Sequence, residues 1–566
     1  MKRKLIFLSF IICQLSFSGV AAQSWVKKIA KSVFTLKTFD ADGTLLGNSC
    51  GVFVGEQGEA ISSYEPFRGA SSAVVIDAAG KEYPVDVLLG ANGTYDVAKF
   101  RVDIKKPQPQ VIASVKADEG AAVFLLPYRE SKQSIQGVVL KTETFGGTDN
   151  AYYTLKVTMP QDGAGMPLFN EEGQLLALMQ QPMSENDTLC YAVSALFADS
   201  LKMTGLSFND EVYRATGIKK ALPTDLGQAQ LTLFMAASTF DSLSYVQLVD
   251  DFIRQFPDVQ DGYVSRAELA TSDDRYADAD RDMEQAVKVA AADKERRDEA
   301  LGEAHFSYSR LIYQKLIYRP EPAYEPWTYD RALEEAVMAY EASQQPIYRQ
   351  QQAYVLYAQK KYAEAGNIYD ELFNTPLRSP DLFIEASRCK LVQADTLGYL
   401  AMLDSAVAQF SKPYLREAAP YILARAQARL DAGKYRDATN DLNDYEQLMA
   451  MQVNASFYYL RFQAEQGGRL FQQALNDIAK AIELNPSQEL YYAEKASLEV
   501  RVGLYDEAIA TAQECIKLVP EYSDGHLFLG LAQCLKGSKV EGVKNLQRAK
   551  ELGDEQADGL IEKYGK

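Results

Sequence analysis

The C-terminal part of the chain repeats with a period of 34 residues, and this constrains the fold more than any other feature. Segments 469–486 and 503–520 align without a gap, which places Ala474 and Ala508 at equivalent positions 34 residues apart. Within each segment, apolar residues recur at the spacing of one helix face. A helical hairpin of this length cannot bury its apolar face alone, so successive units must stack against each other.

The same pattern marks further units upstream. Each has a small residue with an aromatic residue three positions before it, and these small residues are Ala279, Ala332, Ala365 and Ala438. The pattern resembles the tetratricopeptide repeat, a helix–turn–helix unit of 34 residues, over residues 229–566. The resemblance implies an all-α superhelical solenoid of about nine repeats with a polar capping helix. It also implies partners that are proteins or extended peptides.

The spacing between two of the units is longer than the period. Ala279 and Ala332 are 53 residues apart, so the segment 310–327, which reads "RLIYQKLIYRPEPAYEPW", lies partly in an insertion. Its aromatic content predicts an exposed interaction patch that includes Tyr324 and Trp327. A longer helix that packs these rings inside the fold is the alternative.

The part of the chain before the repeats has a different pattern. Residues 24–202 contain about a dozen short apolar or alternating runs, separated by turn formers such as Asp42-Gly43 and Glu172-Gly173. This spacing predicts a closed or sandwich-like all-β domain. Residues 203–228 are rich in glycine and proline compared with their neighbours and are predicted to be a linker.

Four segments of the β-rich part resemble trypsin-like serine proteases of the high-temperature-requirement (HtrA) type. They are "NSCGVFVGEQGEAISSYEPF" (48–67), "YDVAKFRV" (95–102), "DGAGMPLFN" (162–170) and "LCYAVS" (189–194). Their order and spacing agree with that family, so the resemblance implies a double β-barrel. It also places Glu65, Asp96 and Ala164 at the positions of the catalytic histidine, aspartate and serine.

These positions do not support catalysis. Alanine offers no nucleophile, and activation of a serine or cysteine requires a base such as histidine. The whole chain has two histidines, His305 and His526, and both lie in the repeats. We therefore expect no catalytic residue, no cofactor and no metal site, and a degenerate protease domain. The backbone amides around Gly163 and Gly165 are predicted to keep an oxyanion-like nest.

The N-terminal segment and the net charge predict the location of the protein and exclude some classes of partner. Residues 1–22 combine three early cationic residues, an apolar run and a small-residue cleavage flank, which predicts a secretory signal peptide. No later stretch is apolar enough to span a membrane, so we expect a soluble periplasmic or extracellular protein without a lipid anchor. The net charge of −18 argues against nucleic acid and anionic membranes as partners.

The sequence thus predicts a secreted, non-catalytic binding scaffold, in which a pseudoprotease barrel precedes a tetratricopeptide solenoid. Two alternatives remain open. One is a trypsin-like protease with a displaced active site, for example at Ser62 or Ser63, or with a site completed by a partner chain. The other is a carbohydrate-binding helical-repeat protein of the cell envelope, which exposed aromatic residues in 310–327 would favour.

Overall fold

A computed structural model describes most of the chain, namely residues 25–127, 134–144, 150–160, 163–181, 189–450 and 452–565. The predicted signal peptide, residues 1–22, lies outside the described residues. The chain divides into two compact units, Met1–Val289 and Ala290–Lys566. The first unit includes the first helices of the repeat region, so the division falls within the repeats and not at residue 202.

The described strands of the first unit form two closed antiparallel barrels of six strands each. The first barrel has the neighbour order β1-β2-β3-β6-β5-β4, and the second has the order β10-β11-β12-β9-β8-β7. Closure leaves no open sheet edge in either barrel. The strands are β1 (Val33–Phe39), β2 (Leu45–Phe53), β3 (Glu59–Ser62), β4 (Ser72–Ile76), β5 (Glu82–Asn92), β6 (Val97–Val102), β7 (Ala122–Leu125), β8 (Ile135–Thr144), β9 (Ala151–Lys156), β10 (Pro167–Phe169), β11 (Leu175–Met179) and β12 (Cys190–Ser194).

Inward-facing aromatic residues fill the first barrel. Alternate residues of β1 point inward, and the ring of Phe34 lies 4.8 Å from that of Phe53, centroid to centroid. Phe67 and Phe100 form a second tilted pair at 5.1 Å. Both spacings fall in the range in which aromatic rings attract each other beyond simple burial.

The segment 203–228 is not the free linker that its composition predicted. The short helix α1 (Phe197–Ser200) precedes this segment, and the short helix α2 (Glu211–Arg214) lies within it. Tyr213 and Ile218 are buried in the core of the first barrel, and Lys220 forms a parallel bridge with Leu88 of β5. The sequence obscured this role because the apolar residues are too few to show a period.

Nineteen helices follow between residues 226 and 564 of the described chain, and they alternate as nine successive pairs before a last helix. The predicted fold class, a double barrel followed by tetratricopeptide-like helices, is confirmed. The helices are α3 (Leu226–Thr239), α4 (Ser242–Gln255), α5 (Gln260–Ser272), α6 (Tyr276–Ala292), α7 (Arg297–Tyr318), α8 (Tyr329–Ala342), α9 (Pro346–Ala358), α10 (Tyr362–Leu372), α11 (Pro380–Val392), α12 (Thr396–Val407), α13 (Ala419–Asp431), α14 (Tyr435–Met449), α15 (Ala455–Gly467), α16 (Phe471–Leu484), α17 (Glu489–Val502), α18 (Tyr505–Leu518), α19 (Ser523–Lys536), α20 (Lys539–Glu551) and α21 (Ala557–Tyr564).

The small residues that revealed the repeat lie where paired helices meet. Ala474 and Ala508 are fully buried. At the next equivalent position, a Cβ on Gly542 would lie 2.7 Å from the carbonyl oxygen of Gly530 on the neighbouring helix. A larger side chain would push the two helices apart, which explains the regular recurrence of small residues.

Candidate functional site

Glu65 occupies the position predicted for the catalytic histidine. It begins a short 3-10 turn, Glu65–Phe67, directly after β3. Its carboxylate points away from the barrels: the side chain is 69% exposed and pairs with Arg68, Nε to Oε2, at 3.3 Å. A group in this orientation can contribute charge at the surface but is not placed to activate a buried nucleophile.

Asp96 lies immediately before β6 and faces the turn that carries Glu65. Its Oδ1 accepts a hydrogen bond from the backbone N–H of Glu65 at 2.7 Å, and the backbone of Tyr64 and the side chain of Ser63 lie beside the carboxylate. Burial raises the pKa of Asp96, and these polar neighbours oppose the shift. Asp96 therefore fixes the backbone of the turn.

The loop that carries Ala164 packs against the first barrel. The carbonyl oxygen of Ala164 accepts a hydrogen bond from the N–H of Cys50 at 3.1 Å. Gly165 has a φ of +75°, and a Cβ at this position would lie 2.3 Å from the carbonyl oxygen of Cys50 and 3.2 Å from the hydroxyl of Ser63. Since the side chain of Ser63 also lies beside Asp96, the loop and Asp96 share Ser63 as a neighbour.

The hydroxyl groups near this site are buried and engaged. Ser62 and Ser63 have exposed fractions of 0% and 2%. The hydroxyl of Ser62 donates to the carbonyl oxygen of Cys50 at 2.6 Å, and the side chain of Ser63 lies beside Asp96. The described residues thus hold a buried polar cluster next to the positions predicted for the triad, and no imidazole lies in the chain before His305.

The predicted oxyanion-like nest is only partly available. The N–H of Gly165 donates to the carbonyl oxygen of Met179 at 2.8 Å, and that of Met166 donates to Gly163 at 3.1 Å. The amide of Gly165 therefore cannot bind an added ligand without breaking a backbone hydrogen bond. A nest formed by the amides of Gly163 and Ala164 stays a prediction.

Gly165→Ala is expected to destabilise the barrels by about 2–3 kcal/mol, because the new Cβ would combine a left-handed backbone with a clash against a carbonyl oxygen. Gly43→Ala is the matched control: Gly43 has a φ of +81° but no atom within 4 Å of the added Cβ. We expect the control to cost about 1 kcal/mol. Urea unfolding of both variants measures the difference, and equal costs would show that the loop does not pack tightly against Cys50.

The predicted interaction patch in the insertion is wrong for one of its residues. Trp327 is only 2% exposed, and Tyr324 is half-buried with its ring 5.6 Å from that of Trp327. The extra residues extend α7 to 22 residues, and Trp327 is buried in the segment between α7 and α8. The alternative of a longer helix is therefore what the structure shows, with Tyr318 at its end 76% exposed.

The repeats contain a recurring buried ion pair that the sequence reading missed. Arg425 binds Asp441, and Arg461 binds Asp477, each through two hydrogen bonds of 2.6–3.1 Å. In each pair the aspartate follows the arginine by 16 residues, which joins the first helix of a hairpin to the second. The separation of 16 residues between arginine and aspartate could have predicted these pairs. The chain has so many charged residues that this separation does not stand out in the sequence.

Both histidines are engaged within the repeats. His305 Nδ1 lies 2.6 Å from Oε2 of Glu335, which is itself almost fully buried. His526 Nε2 lies 3.0 Å from the carbonyl oxygen of Pro520. The five described cysteines are all buried. No group of three or more His, Cys, Asp or Glu within the described ranges is arranged to hold a metal ion.

Comparisons with known proteins agree with this architecture. No family model matches the chain. The chain is 24% identical over 145 residues to the small glutamine-rich tetratricopeptide repeat-containing protein 2 of Saccharomyces cerevisiae, which covers 25% of this chain and 42% of that protein. It is 30% identical over 92 residues to human DnaJ homolog subfamily C member 7, which covers 16% and 19%. The chain thus spans less than half the length of the curated relatives it matches.

Solved structures similar to this chain include a protease from M. tuberculosis in its active form, at 17% identity and a TM-score of 0.28, covering 33% of this chain and 88% of that one. Another is a serine endoprotease from Yersinia pestis, at 17% identity and a TM-score of 0.27, covering 33% and 65%. The described chain combines two closed six-stranded β-barrels with a series of helical hairpins. In this described part, no helix is both long and apolar enough to cross a membrane.

Proposed function

We propose that this chain is a secreted binding protein whose protease-like barrels do not cut peptide bonds. The observation that carries the proposal is Ala164 at the nucleophile position, together with the absence of histidine from the first 304 residues. A serine-protease mechanism needs both a nucleophile and a base to accept its proton. Secretion rests on the signal-like pattern of residues 1–22.

Binding of proteins or extended peptides is the function that the helical repeats support best. Stacked helical hairpins offer long rows of side chains, and such surfaces accommodate segments without secondary structure of their own. The tetratricopeptide relatives favour the same assignment. The barrels retain Asp96 and the packed loop at Ala164, so their shape persists although their chemistry does not.

The alternatives have less support. A displaced protease site at Ser62 or Ser63 would have to use buried hydroxyl groups, and that of Ser62 is already hydrogen-bonded to Cys50. Carbohydrate binding in the insertion would need a cluster of exposed aromatic faces, but Trp327 is buried and Tyr318 is the one strongly exposed ring of that segment, at 76%. We therefore propose a single function, non-catalytic binding of unfolded or extended polypeptide.

Dye-labelled casein, an unfolded polypeptide, tests both parts of this proposal in one sample. We expect its fluorescence anisotropy to rise as the full chain is added, because the labelled molecule becomes part of a larger complex. We also expect no release of acid-soluble dye over many hours. An active trypsin-like protease serves as the positive control for release.

Two results would contradict the proposal. Release of soluble fragments above the buffer rate would show protease activity. An unchanged anisotropy at about 100 µM protein, which corresponds to a binding free energy weaker than roughly −5.5 kcal/mol, would show that extended polypeptide is not the partner.

A further inference from the structure

A cavity of about 340 Å³ lies between the first barrel and helix α4. It is formed by the segment that completes the barrel after residue 203 and by the start of the repeat helices, all within the first compact unit. It contains none of Glu65, Asp96 or Ala164, so it is separate from the triad-equivalent site. Its size is that of a pocket for a small molecule or for one or two peptide residues.

The wall of the cavity is partly apolar. Phe208 and Phe240 form a tilted ring pair at 5.4 Å, and Ile218 and Leu248 are buried beside them. An apolar side chain of a ligand would therefore lose contact with water on binding, which is favourable by about 25 cal/mol per Å².

The two carboxylates that line the cavity are already satisfied by protein groups. Asp241 caps α4 by accepting hydrogen bonds from the backbone N–H and the hydroxyl of Ser244. Asp251 pairs with Lys219 at 2.6 Å and with Arg254 at 2.6 Å. Asp251 is thus offset by two cations, whereas Asp241 keeps its negative charge and uses it to cap the helix.

Two cations that line the same cavity lack such partners. The ammonium of Lys220 donates to the carbonyl oxygen of Thr216 at 2.5 Å, and burial lowers its pKa. Among the described residues, no carboxylate forms an ion pair with Lys220 or with Arg214. Lys220 is partly buried, and a partly buried cation without a counter-charge is costly, so an anionic ligand would offset that cost. Arg214 is exposed and would add a second positive charge beside it.

We propose that this cavity binds a carboxylate attached to an apolar group, with the carboxylate at Lys220 and Arg214 and the apolar group against Phe208 and Phe240. A peptide C-terminus with an apolar last side chain has this chemistry, and so does a small free organic acid. The cavity lies at the start of the repeat helices, and Glu65, Asp96 and Ala164 are not among the residues that line it. It adds a second recognition point to the binding protein.

Calorimetry with matched probes tests the proposal on the full chain. The probes are N-acetyl-L-phenylalanine, its neutral amide, and acetyl-Gly-Gly-Phe with a free carboxylate. We expect the acid to bind at least about tenfold more tightly than the amide, because one hydrogen bond to a charged group in a partly buried site contributes about this factor. Tighter binding of the tripeptide than of the single residue identifies a peptide end as the source, and the reverse identifies a free acid.

Lys220→Met is expected to weaken binding of the acid by about tenfold or more and to leave binding of the amide unchanged. Removal of a partly buried charge should maintain or raise the unfolding midpoint, so a loss of binding cannot be assigned to misfolding. Lys28→Met removes the same charge from an exposed position and should bind as the unmodified chain does. Equal binding of acid and amide, no binding of either at about 10 mM, or an unaffected Lys220 variant would each overturn the proposal.

Discussion

Arg461→Ala is expected to lower the free energy of unfolding of the helical repeats by about 3–5 kcal/mol, because it leaves buried carboxylates without a counter-charge. Arg461 on α15 binds Asp477 on α16 through two hydrogen bonds of 2.6 and 3.0 Å. It also donates to Glu446 on α14 at 2.5 Å. The guanidinium therefore connects three consecutive helices, and its side chain is 9% exposed.

Hydrogen exchange of α14–α16 in the full chain, together with urea unfolding, measures this effect. Lys517→Ala is the matched control, because Lys517 pairs with Glu514 at the surface with a side chain 75% exposed. Such pairs contribute less than about 1 kcal/mol. A cost of less than about 1 kcal/mol for Arg461→Ala as well would show that the buried pair does not support the stack.

The double substitution Arg461→Met/Asp477→Leu separates loss of the pair from loss of packing. Replacement of both partners by apolar groups removes the unpaired charge of Asp477, and Glu446, which is 31% exposed, then loses only its bond to Arg461. Buried ion pairs are often replaced in this way with little loss of stability. We expect the double variant to recover at least about half of the stability lost by Arg461→Ala.

Glu465→Gln is expected to flatten the pH dependence of stability between about pH 4.5 and pH 8. Burial, and next the charge of Asp477, raise the pKa of Glu465 to about 8 from its ordinary value of 4.5. The folded state therefore holds a proton that the unfolded state releases. The stability linked to this proton is fully present below pH 4.5 and is lost as the pH rises through about 8.

The expected size of this loss follows from the shift. One pKa unit corresponds to about 1.4 kcal/mol, so the unmodified chain should lose up to roughly 4–5 kcal/mol across the window. Glutamine resembles the protonated acid and cannot ionise, so the variant should be the more stable protein above pH 8. Urea unfolding at pH 5, 7 and 9 tests this, with Glu483→Gln, an exposed glutamate, as the control. Parallel pH profiles for Glu465→Gln and the unmodified chain would contradict the assignment.

The sequence predicted those parts of the fold that follow from periodicity. Ala474 and Ala508 recur at 34 residues because helix contact requires a small side chain at that point, and the structure buries both. The 34-residue period gives no information on residues that lie outside the repeats. The segment around Tyr213 completes the first barrel through a few isolated apolar contacts, so its composition resembled that of a linker.

The candidate sites show the same limit. Glu65, Asp96 and Ala164 were placed by the order of the surrounding strands, and the structure brings Asp96 and the Ala164 loop to Ser63. The direction of the Glu65 side chain and the burial of Trp327 depend on how each side chain packs, which no periodic pattern in the sequence records. The cavity at Lys220 was missed for the same reason, since its cations lie in the segment taken as a linker.

The central claim is that the barrels have no activated nucleophile, and covalent labelling tests it most directly. The purified full chain is incubated with a fluorophosphonate, which reacts with activated serine hydroxyls, and its intact mass is then measured. The account predicts an unchanged mass, with an active trypsin-like protease labelled in parallel. A mass increase of one adduct would contradict the claim if it is absent from protein that was heat-denatured before labelling, or absent from the Ser63→Ala variant.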